Sequence, residues 1–446
     1  MLLIRYSFNQ EVPAGSGTAL VSCRLIRLYF SQVIFVLVPG KMRNKTIFRM
    51  VLALLAAGLV FCGTAAASFV PATSPRIKTM GRWIPADNGS LYAGRGGVLA
   101  SAKFEGTGVQ VQMYSDSQGD CWWLKKLDDG PLIRFKVQMG MNVLFQNLPM
   151  GKHTLFMIRD TEGMRGVTIL RGFYFIGESE TAASAASAGG QDKTANQTDA
   201  AGNGVSAHRK PISKKSAHAP AAQVEQKLPH RRSIEIIGDS VAAGAFIYPE
   251  GDYFQRESGY LAFGPRLARM LNADWSCVAS SGEGAVRNNE EKAPYTAKHA
   301  EEQIERAFYT QKEPRWNNQM DDPDLVILAY GENDFNDEVH RPSDAYFKEH
   351  YKKLILKLRQ FRPNSVIFCM TPANTVTSQR SVPGMGGAVE ELRAAGDSKV
   401  YFIDLNAQGP LLNPSDFLDG VHPLASGHEK IARCLRTYAC EVLGWE

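Results

Sequence analysis

At 446 residues the chain exceeds one ordinary domain, and with 44% apolar and 21% charged residues it has the composition of a globular protein with real cores. The formal net charge of +5 is small for this length and lies mainly near the N-terminus and in the stretch HRKPISKKSAHAP. No basic helix or aromatic-basic module accompanies it, so the charge is not a nucleic-acid footprint, and no nucleic-acid partner is expected.

Residues 1–67 read as an N-terminal extension followed by an export signal. From Met42 the segment MRNKTIFRMVLALLAAGLVFCGTAAASF has a basic start (Arg43, Lys45, Arg49), an apolar run from Met50 to Cys62 and small residues at Ala65, Ala66 and Ala67. The apolar run is short for a membrane span, and the bulky Phe61 argues against lipid modification of Cys62. Met42 therefore reads as the true start, with the residues before it an over-extended reading frame. The less favoured alternative is two membrane passes, formed by LIRLYFSQVIFVLVP and the later run. The expected location is periplasmic or secreted, with no stable membrane anchor after cleavage.

Cleavage near Ala67 would remove Cys23 and Cys62 and leave Cys121, Cys277, Cys369, Cys434 and Cys440, an odd number. Export permits disulfides, but the expected state of all five is unpaired. Cys277 and Cys369 sit in apolar strand-like runs, where a cysteine acts as a small core residue. Cys434 and Cys440 lie six apart in a helix-like segment, too far around it to bridge without distortion. With no CxxC or Cys/His cluster, no metal site is expected.

Residues 78–178 are β-rich. GVLASAKFEGTGVQVQMYSD alternates apolar and polar residues about a Gly-Thr-Gly turn, and PLIRFKVQ, NVLFQNLPMGKHTLFMIRD and GVTILRGFYFIG continue the pattern between Gly and Pro punctuation. Many short strands separated by turns imply a β-sandwich or jelly roll. Residues 179–230 are rich in Ala, Ser, Gly, Lys and Gln and nearly devoid of large apolar residues. Such a segment cannot bury enough surface to offset its ordering entropy and reads as a flexible linker.

Residues 231–446 change to alternating strands and helices. Buried strands are expected at SIEIIGD, ADWSCVAS, DLVILAYG, SVIFCMTP and KVYFIDL. The clearest helix, SDAYFKEHYKKLILKLRQF, has Ser343 as N-cap and Phe347, Tyr351, Leu354, Ile355 and Leu358 at helical spacing; a last helix spans about Ala425 to Val442. The expected fold is a three-layer α/β domain with a parallel sheet. Sites in such sheets form beyond the C-terminal strand ends.

Four such places carry chemistry: Gly238-Asp239-Ser240 after the first strand, ASSGEGAVRNN with Gly282 and Gly284 after the second, Gly331-Glu332-Asn333-Asp334 after the third, and DGVHP with Asp419 and His422 before the last helix. Singly each has an ordinary reading. Ser240 could be the N-cap of the next helix; the glycines could form a turn; GEND could be a polar loop; and a lone histidine is commonly structural. The absence of GxGxxG or a Walker lysine removes nucleotide binding. Together they supply one mechanism. A serine hydroxyl needs a base, which His422 provides, and Asp419 would fix the ring's tautomer and support the imidazolium. Backbone N–H groups of Ser240 and Gly282 with the Asn333 amide would form an oxyanion hole, where losing one donor costs about 3–4 kcal/mol.

In order, Gly-Asp-Ser, the second-block glycine, Gly-x-Asn-Asp and Asp-x-x-His resemble the signature blocks of the SGNH (GDSL-type) hydrolase superfamily. The resemblance implies Ser240 as nucleophile, Gly282 and Asn333 as oxyanion residues, and Asp419 and His422 as triad partners. Glu332 departs from the usual small residue, and Gly284 competes with Gly282. A β-sandwich with FEGTGVQV, LPMGKHTLFMIRDTEG and RGFYFIG before a domain with SSGEGAVRN is similar to carbohydrate esterase family 2. That family joins a jelly roll to an SGNH domain and deacetylates plant polysaccharides such as xylan or glucomannan; some members lack the supporting aspartate. The long linker departs from its short junction, leaving open how the domains dock.

With the leader-like segment, the resemblance implies an exported serine esterase acting on an acetylated polysaccharide or oligosaccharide, without cofactor or metal; a monomer is expected. The alternatives are an O-acetylesterase or acetyltransferase acting on a bacterial envelope polymer or peptidoglycan, and an inactive carbohydrate-binding protein; the complete residue set argues against the latter. Tyr253, Phe254, Tyr260, Trp316 and Tyr330 are candidates to line a sugar cleft, although packing is the favoured reading of each. Trp122 and Trp123 could stack on sugar, with one of the two expected to pack inward.

Overall fold

The structure, a computed structural model, describes residues 67–116, 120–178, 231–295, 299–318 and 322–446. The expected leader, apart from Ala67, and the expected linker lie outside these residues.

Eleven strands form two antiparallel sheets. One contains β3 (Ile84–Pro85), β4 (Leu91–Ala93), β11 (Thr168–Ile176), β6 (Gly108–Ser115) and β9 (Gly140–Phe145), with β1 (Ala67–Pro71) also paired to β11. The other runs β2 (Ile77–Met80), β5 (Leu99–Gly106), β10 (Gly151–Arg159), β7 (Trp122–Leu127) and β8 (Ile133–Lys136). Period-two alternation sends Val109, Val111 and Met113 inward from β6, where they meet Leu155 and Met157 of β10 and Phe173 and Phe175 of β11. Trp123 is fully buried in this interior, whereas Trp122 is half-buried beneath the Arg134 guanidinium. The sandwich begins upstream of the expected boundary at residue 78, because Ala67–Pro71 pairs along Gly172–Ile176 of β11. That strand is too short to show periodicity.

The second half forms a five-stranded parallel sheet ordered β13 (Asp274–Ala279), β12 (Ser233–Gly238), β14 (Leu325–Ala329), β15 (Val366–Met370) and β16 (Val400–Ile403). Taken by position in this domain, the order is 2-1-3-4-5, a doubly wound sheet whose switch point lies between β12 and β14. All five expected strands are present. Helices α2 (Phe263–Met270) and α7 (Ala425–Leu443) pack with Ile234, Ile236 and Ile327 on one face. Helices α3 (His299–Glu305), α5 (Asp344–Phe361) and α6 (Thr375–Ala394) cover the other, against Ile237, Val326 and Leu328. One-turn helices α1 (Ser240–Ala243) and α4 (Glu332–Phe335) stand at the ends of β12 and β14. Ser343 caps α5 by accepting from Tyr346 N, and the apolar stripe named above is buried. The five cysteines are free, with Cys277 and Cys369 buried.

The sandwich and the α/β layers share a core. Leu99, Leu124 and Ile158 leave the outer face of the β5–β10–β7 sheet to pack with Ile234, Ile236 and Trp275, and Trp275 Nε1 donates to the Gly97 carbonyl at 2.9 Å. Beneath them Glu235 of β12 lies between two fully buried arginines: Arg82, from the β2–β3 turn, at 3.0 Å, and Arg362, which caps α5, at 2.9 and 3.2 Å. Burial alone would raise the Glu235 carboxyl, but the two guanidiniums outweigh it and hold it below its ordinary value.

Removing one member of a buried ion group strands the remaining charges. Glu235→Gln is therefore expected to lower stability by about 3–5 kcal/mol in urea unfolding; a loss under about 1 kcal/mol, the range of exposed pairs, would show that the cluster does not hold the domains together.

Candidate active site

Gly238 ends β12 so close to β14 that a Cβ would stand 2.5 Å from the Ala329 carbonyl oxygen and 2.8 Å from Ala242 Cβ. Only glycine permits that approach. Asp239 follows as N-cap of α1, its Oδ1 accepting from Val241 N at 3.0 Å. The capping role considered for Ser240 thus belongs to Asp239, and the serine is the first residue inside the helix. Ser240 Oγ faces His422 Nε2 at 3.1 Å, and His422 Nδ1 meets Asp419 Oδ2 at 2.7 Å. Asp419 Oδ1 also accepts from the backbone N–H groups of Val421 and His422 at 3.0 and 2.8 Å. Burial opposes the Asp419 charge, but the hydrogen bonds from His422 backbone and ring outweigh it and hold the carboxyl below its ordinary value. Asn374, the N-cap of α6, fixes the same loop by donating to Gly420 O at 2.7 Å.

On the other side of the switch point, Asn333 Nδ2 donates to Glu283 O at 2.7 Å. This ties α4 to the loop after β13. Asp334 strengthens the tie by accepting from Ala285, Val286 and Arg287 N at 3.0, 2.8 and 2.9 Å. The two competing glycines differ sharply. Gly284 N donates to Asn288 Oδ1 at 3.2 Å, and a Cβ there would lie 1.9 Å from the Arg287 carbonyl oxygen. Gly282 has φ +81° and open space beside it, with Asn289 Cβ at 3.9 Å. Its N–H has no acceptor among the described residues. Gly282 therefore has an N–H available to a ligand, and Gly284 serves the loop.

Of the aromatic candidates, only Tyr253 and Phe254 are linked to the triad. Phe246 joins them to it: its ring lies 4.7 Å from His422 and 4.7 Å from Tyr253, and Tyr253 is 39% exposed. Phe246 has φ +57°, a conformation costing a bulky residue on the order of 1–3 kcal/mol and commonly stored at functional sites. Tyr330 is buried, Trp316 packs near Val167 and Phe308, and Tyr260 lies under Arg269. Phe246 was not legible as a site residue, since nothing local marks a phenylalanine in a left-handed turn.

Residues 236–430 match the GDSL-like Lipase/Acylhydrolase family, and residues 79–184 match the carbohydrate esterase 2 N-terminal family. The chain thus contains a carbohydrate esterase 2 N-terminal domain followed by a GDSL-like lipase/acylhydrolase domain, each match spanning less than half of it. It is 26% identical over 390 residues to cellulase/esterase CelE of Acetivibrio thermocellus, covering 83% of this chain and 40% of that protein. It is 22% identical over 387 residues to an acetylxylan esterase / glucomannan deacetylase of Cellvibrio japonicus, covering 84% of this chain and 91% of that one. The family two carbohydrate esterase of Clostridium thermocellum, solved with cellohexaose, shares the fold at TM-score 0.65 and 23% identity, over 83% of this chain and all (100%) of that one. The family two enzyme of Cellvibrio japonicus gives TM-score 0.65 at 21% identity, over 85% and 99% of the two chains.

Glu332, the departure from the usual motif, is buried and accepts from Thr377 Oγ1 at 2.7 Å. Burial pushes its carboxyl up to about 7, opposed by the Thr377 bond and reinforced by the Asp419 charge. Burial likewise raises Asp334 to about 6 against its three backbone donors, and burial with Glu332 raises Asp239 well above its usual range. Such groups bind a proton in the folded chain where the unfolded chain has lost it, so their stabilisation is full below the unfolded values and is lost as pH rises through the folded ones. For Glu332 the window is 4.5 to about 7. The urea midpoint is expected to fall from about pH 5 to about pH 8, and Glu332→Gln to flatten part of that slope. A midpoint that rises over this range would contradict the assignment.

Proposed function

We propose that the chain is an exported esterase that removes O-acetyl groups from polysaccharide by a Ser-His-Asp mechanism. The observation that carries this reading is the unbroken series Ser240 Oγ, His422 Nε2, His422 Nδ1, Asp419 Oδ2 at 3.1 and 2.7 Å, at the switch point of a doubly wound sheet. His422 takes the Ser240 proton as Oγ attacks the acetyl carbonyl, and Asp419 holds Nδ1–H so that Nε2 presents its lone pair. The oxyanion accepts from Gly282 N, Ser240 N and Asn333 Nδ2. Collapse expels the sugar hydroxyl, which takes its proton from His422; water activated by the same ring then releases acetate. The cycle balances without a metal or organic cofactor.

Support for a polysaccharide comes from the carbohydrate esterase 2 N-terminal match and from relatives named for acetylxylan and glucomannan. The Phe246–Tyr253 pair adds an aromatic wall next to the base, of the kind on which a sugar face can stack. Export rests on the leader-like segment after Met42.

Ser240→Ala is expected to abolish acetate release from 4-nitrophenyl acetate while leaving the far-UV spectrum unchanged; full activity would remove the nucleophile assignment. Asn333→Ala is expected to lower kcat by about 10²–10³, the scale of one lost oxyanion donor. Among acetylated xylan, glucomannan and peptidoglycan, acetate release should be fastest from the plant polymers, and a preference for peptidoglycan would replace them with an envelope substrate.

A further inference from the structure

The sandwich domain reaches the edge of the site through the segment RDTEGMR, which leaves β10 at Arg159. Arg159 is fully buried and binds the segment from within its own domain, donating to Thr161 O at 3.2 Å, Glu162 O at 3.2 Å and Gly166 O at 2.7 Å, and to Ala93 O at 2.9 Å. The shape of the segment is therefore set before it meets the hydrolase domain. Glu162, at its tip, is also fully buried. Its Oε2 accepts from Ser281 N at 2.7 Å and its Oε1 from Ser281 Oγ at 2.9 Å, with Ser280 Oγ at 3.4 Å from Oε2. The carboxylate thus grips, at two points, the residue immediately before Gly282. Its own backbone is anchored in turn, since Glu162 N donates to Glu257 Oε2 at 3.1 Å.

We propose that Glu162 is a positioning residue for the oxyanion hole, supplied across the domain boundary, so that the hydrolase domain attains its full rate only with the sandwich in place. The inference rests on reading Gly282 as an oxyanion donor. The loop that carries this glycine is held downstream by the hydrolase domain itself, through Asn333 to Glu283 O and Asp334 to the Ala285–Arg287 amides. Upstream, the two-point grip on Ser281 comes from the other domain. Charge-assisted bonds to a backbone N–H and an adjacent hydroxyl restrict the rotation of the peptide leading into Gly282. An oxyanion donor is effective only when held in place before charge develops. A residue serving solely as domain adhesive would affect folding and leave the turnover of folded molecules unchanged.

The test compares Glu162→Ala and Glu162→Gln in the full chain, with kcat and KM for 4-nitrophenyl acetate expressed per folded molecule and folding followed by thermal unfolding. Glu162→Ala should lower kcat about 10-fold or more, within the range of a displaced oxyanion donor, with KM changed less than about twofold. Glu162→Gln keeps one acceptor oxygen for Ser281 N and should recover part of the rate. If Glu162→Ala does not fold, Ser281→Ala, which removes only the hydroxyl contact, should show a smaller fall in kcat of the same kind. Wild-type kcat per folded molecule, or a loss confined to KM, would overturn the proposal. Asn333→Ala separates the two levels: a large loss there beside a wild-type rate in Glu162→Ala ends the positioning role alone, whereas a wild-type rate in Asn333→Ala ends the oxyanion reading itself.

Discussion

Glu235 occupies the point on which both halves of the chain converge. A carboxylate with no solvent around it is stable only where opposite charge and hydrogen bonds replace water. Here one guanidinium comes from the sandwich and the other from the end of α5. Arg82 also donates to the carbonyls of Ile304 and Arg306, at 2.9 and 2.7 Å. The sandwich is thereby bound to the base of the strand whose far end carries Ser240. With Leu99, Leu124 and Ile158 packed in the same interior as Ile234 and Trp275, the two parts are coupled through packing and charge together. This fixes where RDTEGMR can lie and hence whether Glu162 can reach Ser281.

The site itself has acidic surroundings. Asp239, Glu332 and Asp334 are all buried near the ends of β12 and β14, each engaged by a local donor. Asp239 caps α1, Glu332 holds Thr377 and Asp334 collects three amides. These acids tie one-turn helices and loops to their neighbours. Their cost is desolvation, visible in their raised proton affinity.

The parts legible in the sequence were those written in local periodicity. Ile234, Ile236 and Ile237 gave a buried strand, Phe347 to Leu358 gave a helix face, and the strand-end positions placed Ser240, Asn333 and His422 in one region. Choosing between Gly282 and Gly284 required space: one position is open and the other packed against Arg287. Phe246 required a backbone angle, and Glu162 required a contact across 119 positions of chain. None of these leaves a periodic or compositional trace. The domain docking was equally hidden, because Arg82 and Glu235 stand 153 positions apart and only the fold brings them together.

The proposed triad runs from an enclosed end to an open one. Ser240 is 4% exposed, while the Asp419 side chain is 43% exposed. Water and dissolved ions reach the carboxylate but are largely excluded from the hydroxyl, so the effective dielectric changes along the three side chains. The charge of Asp419 is partly spent on solvent before it is felt at Oγ. Its contribution to a reaction at Ser240 is therefore weighted towards aim: it keeps one face of an imidazole turned inward, a task that any well-placed acceptor of a single N–H can perform.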